Sequence, residues 1–391
     1  MISVAEAYEK LFALVDPLVT TEEITLEQAA GRVLRASITA QRDQPPFPAS
    51  AMDGYAILEA DAIPQKKLKV IGESTAGKRF AGSVSAGQAV RIFTGGVVPD
   101  GASKILIQED CTREDDAITI GEKIDTSAYI RPAGGDFNAG FELSAPILLS
   151  PERIALAAAM NVPKLTVTKR PRVALIATGD ELVYPGETPN PDQIISSNNY
   201  GLKALVESHG AIAHLLPIAR DNKADLLEVF KLAQEADLIV TLGGASVGEY
   251  DLVQTSAKDA GMETAFYKVA MRPGKPLMAG RLNGKPMIGL PGNPVSAMVC
   301  GRVFLVPMIE ALLGLPKTPP LTQTARLGKD MQANGPRAHY MRATLENGII
   351  TPLDRQDSSL LSVLSGAQAL LIRDPHAPIA SQGEEAAYLV F

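Results

Sequence analysis

Four apolar runs in the middle of the chain each end in residues that could do chemistry. The run 237–242 leads into 243-GGASVGEYD-251, a turn with three glycines and a hydroxyl (Gly243, Gly244, Ser246, Gly248) followed by Glu249 and Asp251. Glycines directly after a buried strand let backbone N–H groups approach an anion closely. The turn lacks the lysine of a P-loop and the spacing of a dinucleotide fingerprint. Carboxylates beside a phosphate would repel it unless a hard cation lies between them, and Mg²⁺ is commonly held by one or two carboxylates together with substrate phosphates. Glu181, Asp221 and Asp251 are the candidate metal ligands.

The other three runs point the same way. Residues 172–178 run into Thr178-Gly179-Asp180-Glu181, 211–218 into Arg220-Asp221, and 286–290 into Pro291-Gly292-Asn293-Pro294. In an open parallel α/β sheet, ligands bind beyond the carboxyl ends of the strands, where all four segments fall. Taken alone, Thr178–Glu181 reads rather as an ordinary turn with a helix cap. Positive charge is concentrated in 268-KVAMRPGKP-276, where Lys268, Arg272 and Lys275 bracket a Pro-Gly turn. Such a turn is either a solvated loop or, beside 291–294, a pocket for a small tetrahedral dianion.

These turns require a particular frame. The apolar runs alternate with helical stretches near 197–209, 223–235, 251–259 and 294–313, which predicts a doubly wound, parallel-type α/β domain over 171–315. Before it, short apolar runs at 68–74, 104–109 and 117–122 separated by Gly, Pro and Asp predict a small β module over 45–139. Ser3 and Glu6 have capping-box spacing ahead of a helix, and Ser150-Pro151 starts a second, so 1–44 with 140–170 reads as a helical and linking unit. After the proline-rich link 314–320, short β runs return, and 316–391 reads as a barrel-like β domain. The fold class expected is α/β plus β: a central α/β domain flanked by small β modules and an N-terminal helical segment.

Bulk properties exclude several functions. A net charge of -7 with mixed signs and no basic run gives no footprint for nucleic acid. Cys111 and Cys300 are the two cysteines, in no disulfide or zinc pattern, which fits a reducing cytoplasm. The four histidines are scattered, so a histidine nucleophile or multi-histidine metal site is not expected. Residues 1–15 do not read as a leader. The apolar tract 294–314 is interrupted by Arg302, Pro307 and Glu310 and reads as a buried helix pair or a kinked helix, not a membrane span. Asp53-Gly54 and Gly134-Gly135-Asp136 read as turns on spacing alone.

Taken in order, 50-SAMDGYA-56, 94-TGGVVPDGA-102, 178-TGDEL-182, 243-GGASVGEYD-251, 272-RPGKP-276 and 290-LPGNPVSA-297 resemble the molybdopterin molybdenumtransferases, whose eukaryotic relatives include the E domain of gephyrin. The resemblance covers nearly the whole chain. It implies the last step of molybdenum cofactor synthesis: with Mg²⁺ present, molybdate is inserted into adenylylated molybdopterin and AMP leaves. It further implies that Asp53 and Asp136 are functional carboxylates from the β module, with Thr94 beside them. Glu181, Asp221 and Asp251 would line the pterin and metal site. Thr178, Gly179, Asp180, Gly243, Gly244, Ser246, Gly248, Gly292 and Asn293 would bind substrate, Arg272 and Lys275 would face molybdate, and Pro291 and Pro294 would shape its pocket. The family implies an elongated homodimer, with the cleft between the α/β domain of one subunit and the β module of the other, and admits transient contact with the molybdopterin adenylyltransferase. This chain departs from the family's usual pattern at Gly134-Gly135-Asp136, where Gly-Glu-Asp is common, and at Arg272, where many members carry lysine. The competing readings are a metal-dependent adenylyltransferase or phosphoanhydride hydrolase on the same α/β domain, and a gephyrin-like scaffold.

Overall fold

In the computed structural model, which describes residues 1–243 and 252–391, the capping box forms as its spacing predicts. The Ser3 N–H donates to Glu6 Oε2 at 2.7 Å and the Glu6 N–H to Ser3 Oγ at 3.1 Å, starting the helix Val4–Leu14. Its buried stripe of Ala7, Tyr8, Leu11 and Leu14 does not pack with 140–170. It joins one core with Val173, Val269 and Phe304 of the α/β domain.

The remainder of 1–44 holds one 3-10 turn, Leu26–Gln28, and is otherwise strand and loop. Thr21–Thr25 and Val33–Leu34 pair with Lys164–Thr168 and Ile147–Leu148 in a four-stranded antiparallel sheet. Pro151–Ala159, N-capped by Ser150, packs on that sheet through Ala157, with Ile24, Leu34 and Leu165 in the same core. Strands of two to five residues rich in Thr and Glu carry too little apolar alternation to show in the pattern.

The β module is a six-stranded sheet in the order Lys104–Ile107, Gly54–Ile57, Gln88–Ile92, Lys67–Ser74, Ala117–Ile120, Cys111–Glu114. Here the turn expected at Asp53-Gly54 is corrected. Gly54 opens an inner strand, opposite Ile92 on one side and Ile107 on the other, and a Cβ there would collide with the Leu106 carbonyl oxygen. Gly134-Gly135 does form a turn, closed by the Gly135 N–H to Pro132 O at 3.2 Å.

In the α/β domain, Ile212–Leu215, Arg172–Ala177, Leu238–Leu242 and Lys285–Leu290 run parallel in that order. Two further antiparallel strands, Met278–Leu282 and Met262–Tyr267, extend the edge and make the sheet mixed. Alternate residues face opposite cores. Val173, Leu175 and Val240 pack against the Asn198–Ser208 and Pro294–Cys300 helices, and Ala174, Ile176 and Ile239 against Lys223–Leu232 and Leu252–Asp259.

The apolar tract is one helical run, Pro294–Leu312, and it is mostly buried. A π-helical turn spans Gly301–Leu305, and Pro307 follows it. Such turns and prolines leave carbonyls without helical partners. The Tyr8 hydroxyl donates to one of them, Val303 O, at 2.9 Å, so the first helix is keyed into the break.

The C-terminal sheet orders Ala338–Glu346, Ile349–Pro352, Gln323–Leu327, Glu385–Val390 and Ala369–Arg373, and the last strand pairs back on the first, closing a barrel. Buried Arg342 donates to the Asp357 and Arg355 carbonyls at 2.7 and 3.1 Å, and so fixes the loop that precedes Ser358.

Replacing Tyr8 by Phe leaves Val303 O without its donor in a buried setting. The variant is expected to lose about 1–3 kcal/mol of unfolding free energy, seen as a lower urea midpoint with an unchanged slope; an unaltered midpoint would remove this link from the account.

Candidate functional site

The carboxyl ends of the parallel strands are tied together by their own backbones. Thr178 N–H donates to Leu242 O at 2.9 Å, Gly179 N–H to Ala219 O at 3.1 Å, and Gly243 N–H to Leu290 O at 3.2 Å. Thr178, Gly179 and Gly243 therefore sit level with the Pro291 turn. Glycine is required where these turns touch. Gly243 has φ +99°, and a Cβ on it would lie 2.7 Å from Thr178 O; Gly179 has φ +146°, and a Cβ on it would lie 2.3 Å from Glu181 Oε2. The Asn198 amide donates to Gly292 O at 2.6 Å and anchors that turn to the neighbouring helix.

The carboxylates of this edge are organised by Arg220. Its guanidinium donates to the carbonyls of Asp180 and Leu182 at 3.0 and 3.2 Å, drawing the 178–182 and 219–221 turns together. Asp180 Oδ1 then accepts the Asp221 N–H at 3.1 Å. Glu181 curls over Gly179, whose missing Cβ leaves room for its carboxylate. Partial desolvation raises the Asp221 pKa although the residue faces solvent, and the charge of Asp180 adds to it. Asp251, Gly244, Ser246 and Gly248 lie outside the described residues. Among the described residues no group of three or more His, Cys, Asp or Glu stands ready for a metal ion.

The turn with Arg272 and Lys275 is not a loose solvated loop. Met271–Arg272 is a short strand parallel to the C-terminal domain, with Arg272 opposite His339. Its arms are closed by Val269 N–H to Lys275 O at 3.1 Å and Lys268 N–H to Leu277 O at 2.9 Å. Burial pushes the His339 pKa down to about 4, aided by the charges of Arg272, Arg342 and Arg337. The C-terminal domain also reaches the other turn: Asn293 Nδ2 donates to Ser358 Oγ at 3.0 Å, and the Val295 N–H, in the first turn of the helix, donates to Ser358 O at 3.0 Å. His339, Arg342 and Ser358 were not singled out in the sequence. The one local signal was Arg342, a charge inside an apolar strand.

Asp53 and Asp136 are held within the N-terminal half. Asp53 Oδ1 accepts both the Thr94 N–H at 2.7 Å and the Thr94 hydroxyl at 2.8 Å. The backbone donor lowers its pKa most and the hydroxyl next, which keeps the carboxylate ionised. Asp136 sits beyond the Gly134-Gly135 turn, its N–H on Gln44 O at 2.9 Å. Thr94 beside Asp53 is thus a geometric fact of this chain.

Comparison with known proteins matches three successive regions to family models: the MoeA N-terminal region (domain I and II) at residues 2–161, a probable molybdopterin binding domain at 174–311, and the MoeA C-terminal region (domain IV) at 324–391. The chain is 35% identical over 359 residues to the molybdopterin molybdenumtransferase of Nostoc sp., covering 88% of this chain and 82% of that one. It is 34% identical to the Haemophilus influenzae protein of the same name, covering 80% and 78%. Among solved structures, the molybdopterin biosynthesis moeA protein of Pyrococcus horikoshii OT3 superposes with a TM-score of 0.85 at 26% identity, covering all of both chains. Fold and relatives thus define a multidomain transferase whose α/β domain matches the probable molybdopterin binding domain. The chain belongs to the MoeA family of molybdopterin molybdenumtransferases, enzymes of molybdenum cofactor biosynthesis.

The depressed His339 pKa has a signed consequence. Between about 4 and the ordinary value near 6.5 the unfolded chain binds a proton that the folded chain does not, so this group's contribution to stability is full above that window and is lost as pH falls through it. His339→Gln is expected to flatten the decline in urea midpoint between pH 6.5 and 4; an identical pH profile would show that His339 is not the group responsible.

Proposed function

We propose that the protein inserts molybdate into adenylylated molybdopterin and releases AMP. The observation that carries this reading is that the C-terminal domain holds two turns of the α/β domain: the cationic turn through the Arg272–His339 pairing, and the Pro291–Pro294 turn through Ser358. A tetrahedral dianion suits the cations of the first, and the glycine-lined strand ends suit the phosphate and pterin of the second substrate. In this reading Thr178, Gly179, Asp180, Gly243, Gly292 and Asn293 bind substrate, together with Gly244, Ser246 and Gly248. Arg272 and Lys275 hold molybdate between Pro291 and Pro294.

Mg²⁺ fits the carboxylates that are described. Asp221 is raised by its own partial burial and by Asp180, a crowding that a divalent cation would relieve. Glu181, Asp221 and Asp251 would hold it, and when bound it would neutralise charge on the phosphoanhydride. The protein's own contribution is orientation: rigid turns hold the phosphate and the oxyanion, and ionised Asp53 supplies a fixed negative charge. Asp53 and Asp136 are carried by the N-terminal half, which supports a homodimer whose cleft joins the β module of one chain to the α/β domain of the other. Contact with a molybdopterin adenylyltransferase would deliver the unstable substrate. Two cysteines, both free, agree with a cytoplasmic setting.

Purified protein with Mg²⁺ and adenylylated molybdopterin should release AMP and form cofactor only when molybdate is added. Release that ignores molybdate would favour a hydrolase, and binding without release a scaffold. Asp53→Ala should cut turnover by about 10²-fold or more while the melting temperature stays put; a normal rate would remove Asp53 from the site.

A further inference from the structure

The Arg272–Lys275 turn has an unusual seat. Gly274, at its apex, has φ +107°, and a Cβ placed on it would fall inside the Cys300 sulfur and lie 3.2 Å from Met271 Sδ. The arms cannot absorb a shift at the apex. The two are tied to each other by the Val269–Lys275 hydrogen bond, and the first is also paired in register with Ala338 and His339. Cys300 is equally fixed: it is fully buried, at the last position of the Pro294–Cys300 helix, directly before the π-helical turn. One buried side chain therefore touches the cationic turn and lies on the helix that begins at the Pro291–Pro294 turn.

We propose that Cys300 is a positioning residue that sets the seat of the Arg272–Lys275 turn, and through it the affinity of the site for molybdate, by its size. The proposal deepens the reading above and rests on Arg272 and Lys275 contacting the oxyanion. Its thiol chemistry is not what matters. Burial pushes the thiol pKa up, so the sulfur stays protonated and offers molybdenum no thiolate, the form in which cysteine ligates metals. Side chains no larger than cysteine should serve equally, and branched ones should lift the apex. Interiors are packed closely enough that one added methyl group is felt.

The test measures the KM for molybdate in AMP release by the full-length protein at saturating Mg²⁺ and pterin substrate, with melting temperatures alongside. Cys300→Val should raise the KM by about tenfold, while Cys300→Ser stays within about twofold of wild type. If Cys300→Val does not fold, Cys300→Thr gives the same comparison. A lower kcat or melting temperature with an unchanged KM would show a merely structural role and overturn the proposal. Arg272→Ala and Lys275→Ala separate the two levels of the argument. If they raise the KM and Cys300→Val does not, the positioning role is wrong and the oxyanion reading stands. If they leave the KM unchanged, the oxyanion reading falls, and the proposal with it.

Discussion

Everything in the site depends on the carboxyl ends of the parallel strands being level, and backbone hydrogen bonds make them so. Thr178 bonds to Leu242, Gly179 to Ala219 and Gly243 to Leu290, so the ends of all four parallel strands are joined before any side chain acts. Turns locked in this way cost no reorganisation when a charged substrate arrives. The requirement falls on residue type at once. Gly179 and Gly243 stand where a Cβ would collide with Glu181 or Thr178. The carboxylates follow from that frame, because Arg220 spends its donors on the carbonyls of Asp180 and Leu182 and thereby brings Asp221 against Asp180.

The C-terminal barrel is the second constraint. It closes on itself, but it also extends a strand pairing to Met271–Arg272 and lends Ser358 to Asn293 and Val295. Arg342, buried in its wall, holds the loop that carries Ser358 in place through carbonyl contacts. The barrel is therefore part of the wall around the cationic turn. At the opposite end, the first helix is keyed to the π-helical break by Tyr8, so the long helix that starts at the site is fixed along its length.

Much of this was legible in the sequence, and the failures have physical causes. Arg172–Ala177, Leu238–Leu242 and Lys285–Leu290 show because they are buried almost throughout and read as apolar runs followed by glycine-bearing turns, whereas the edge strand Ile212–Leu215 alternates between exposed and buried positions. The first helix shows because Ser3 and Glu6 act within one turn. The hairpin Met262–Leu282 did not show, since Glu263, Gly280 and Arg281 interrupt its pattern. Gly54 was read as part of a turn because Asp-Gly is a hairpin-turn dipeptide; it is there because the neighbouring strand comes too close for any side chain. His339 and Ser358 were invisible because their roles arise from pairings across scores of residues, which no local spacing records. Asp53 and Asp136 came from the family resemblance alone.

The central claim is that substrate sits on the levelled strand ends of the α/β domain. Hydrogen–deuterium exchange of the full-length protein, with and without AMP and Mg²⁺, tests it most directly. The account predicts slower exchange on binding in peptides covering 178–182, 219–221 and 290–293. Protection confined to the β module around Gly54–Ile57 or to the C-terminal barrel, with those strand ends unchanged, would contradict it.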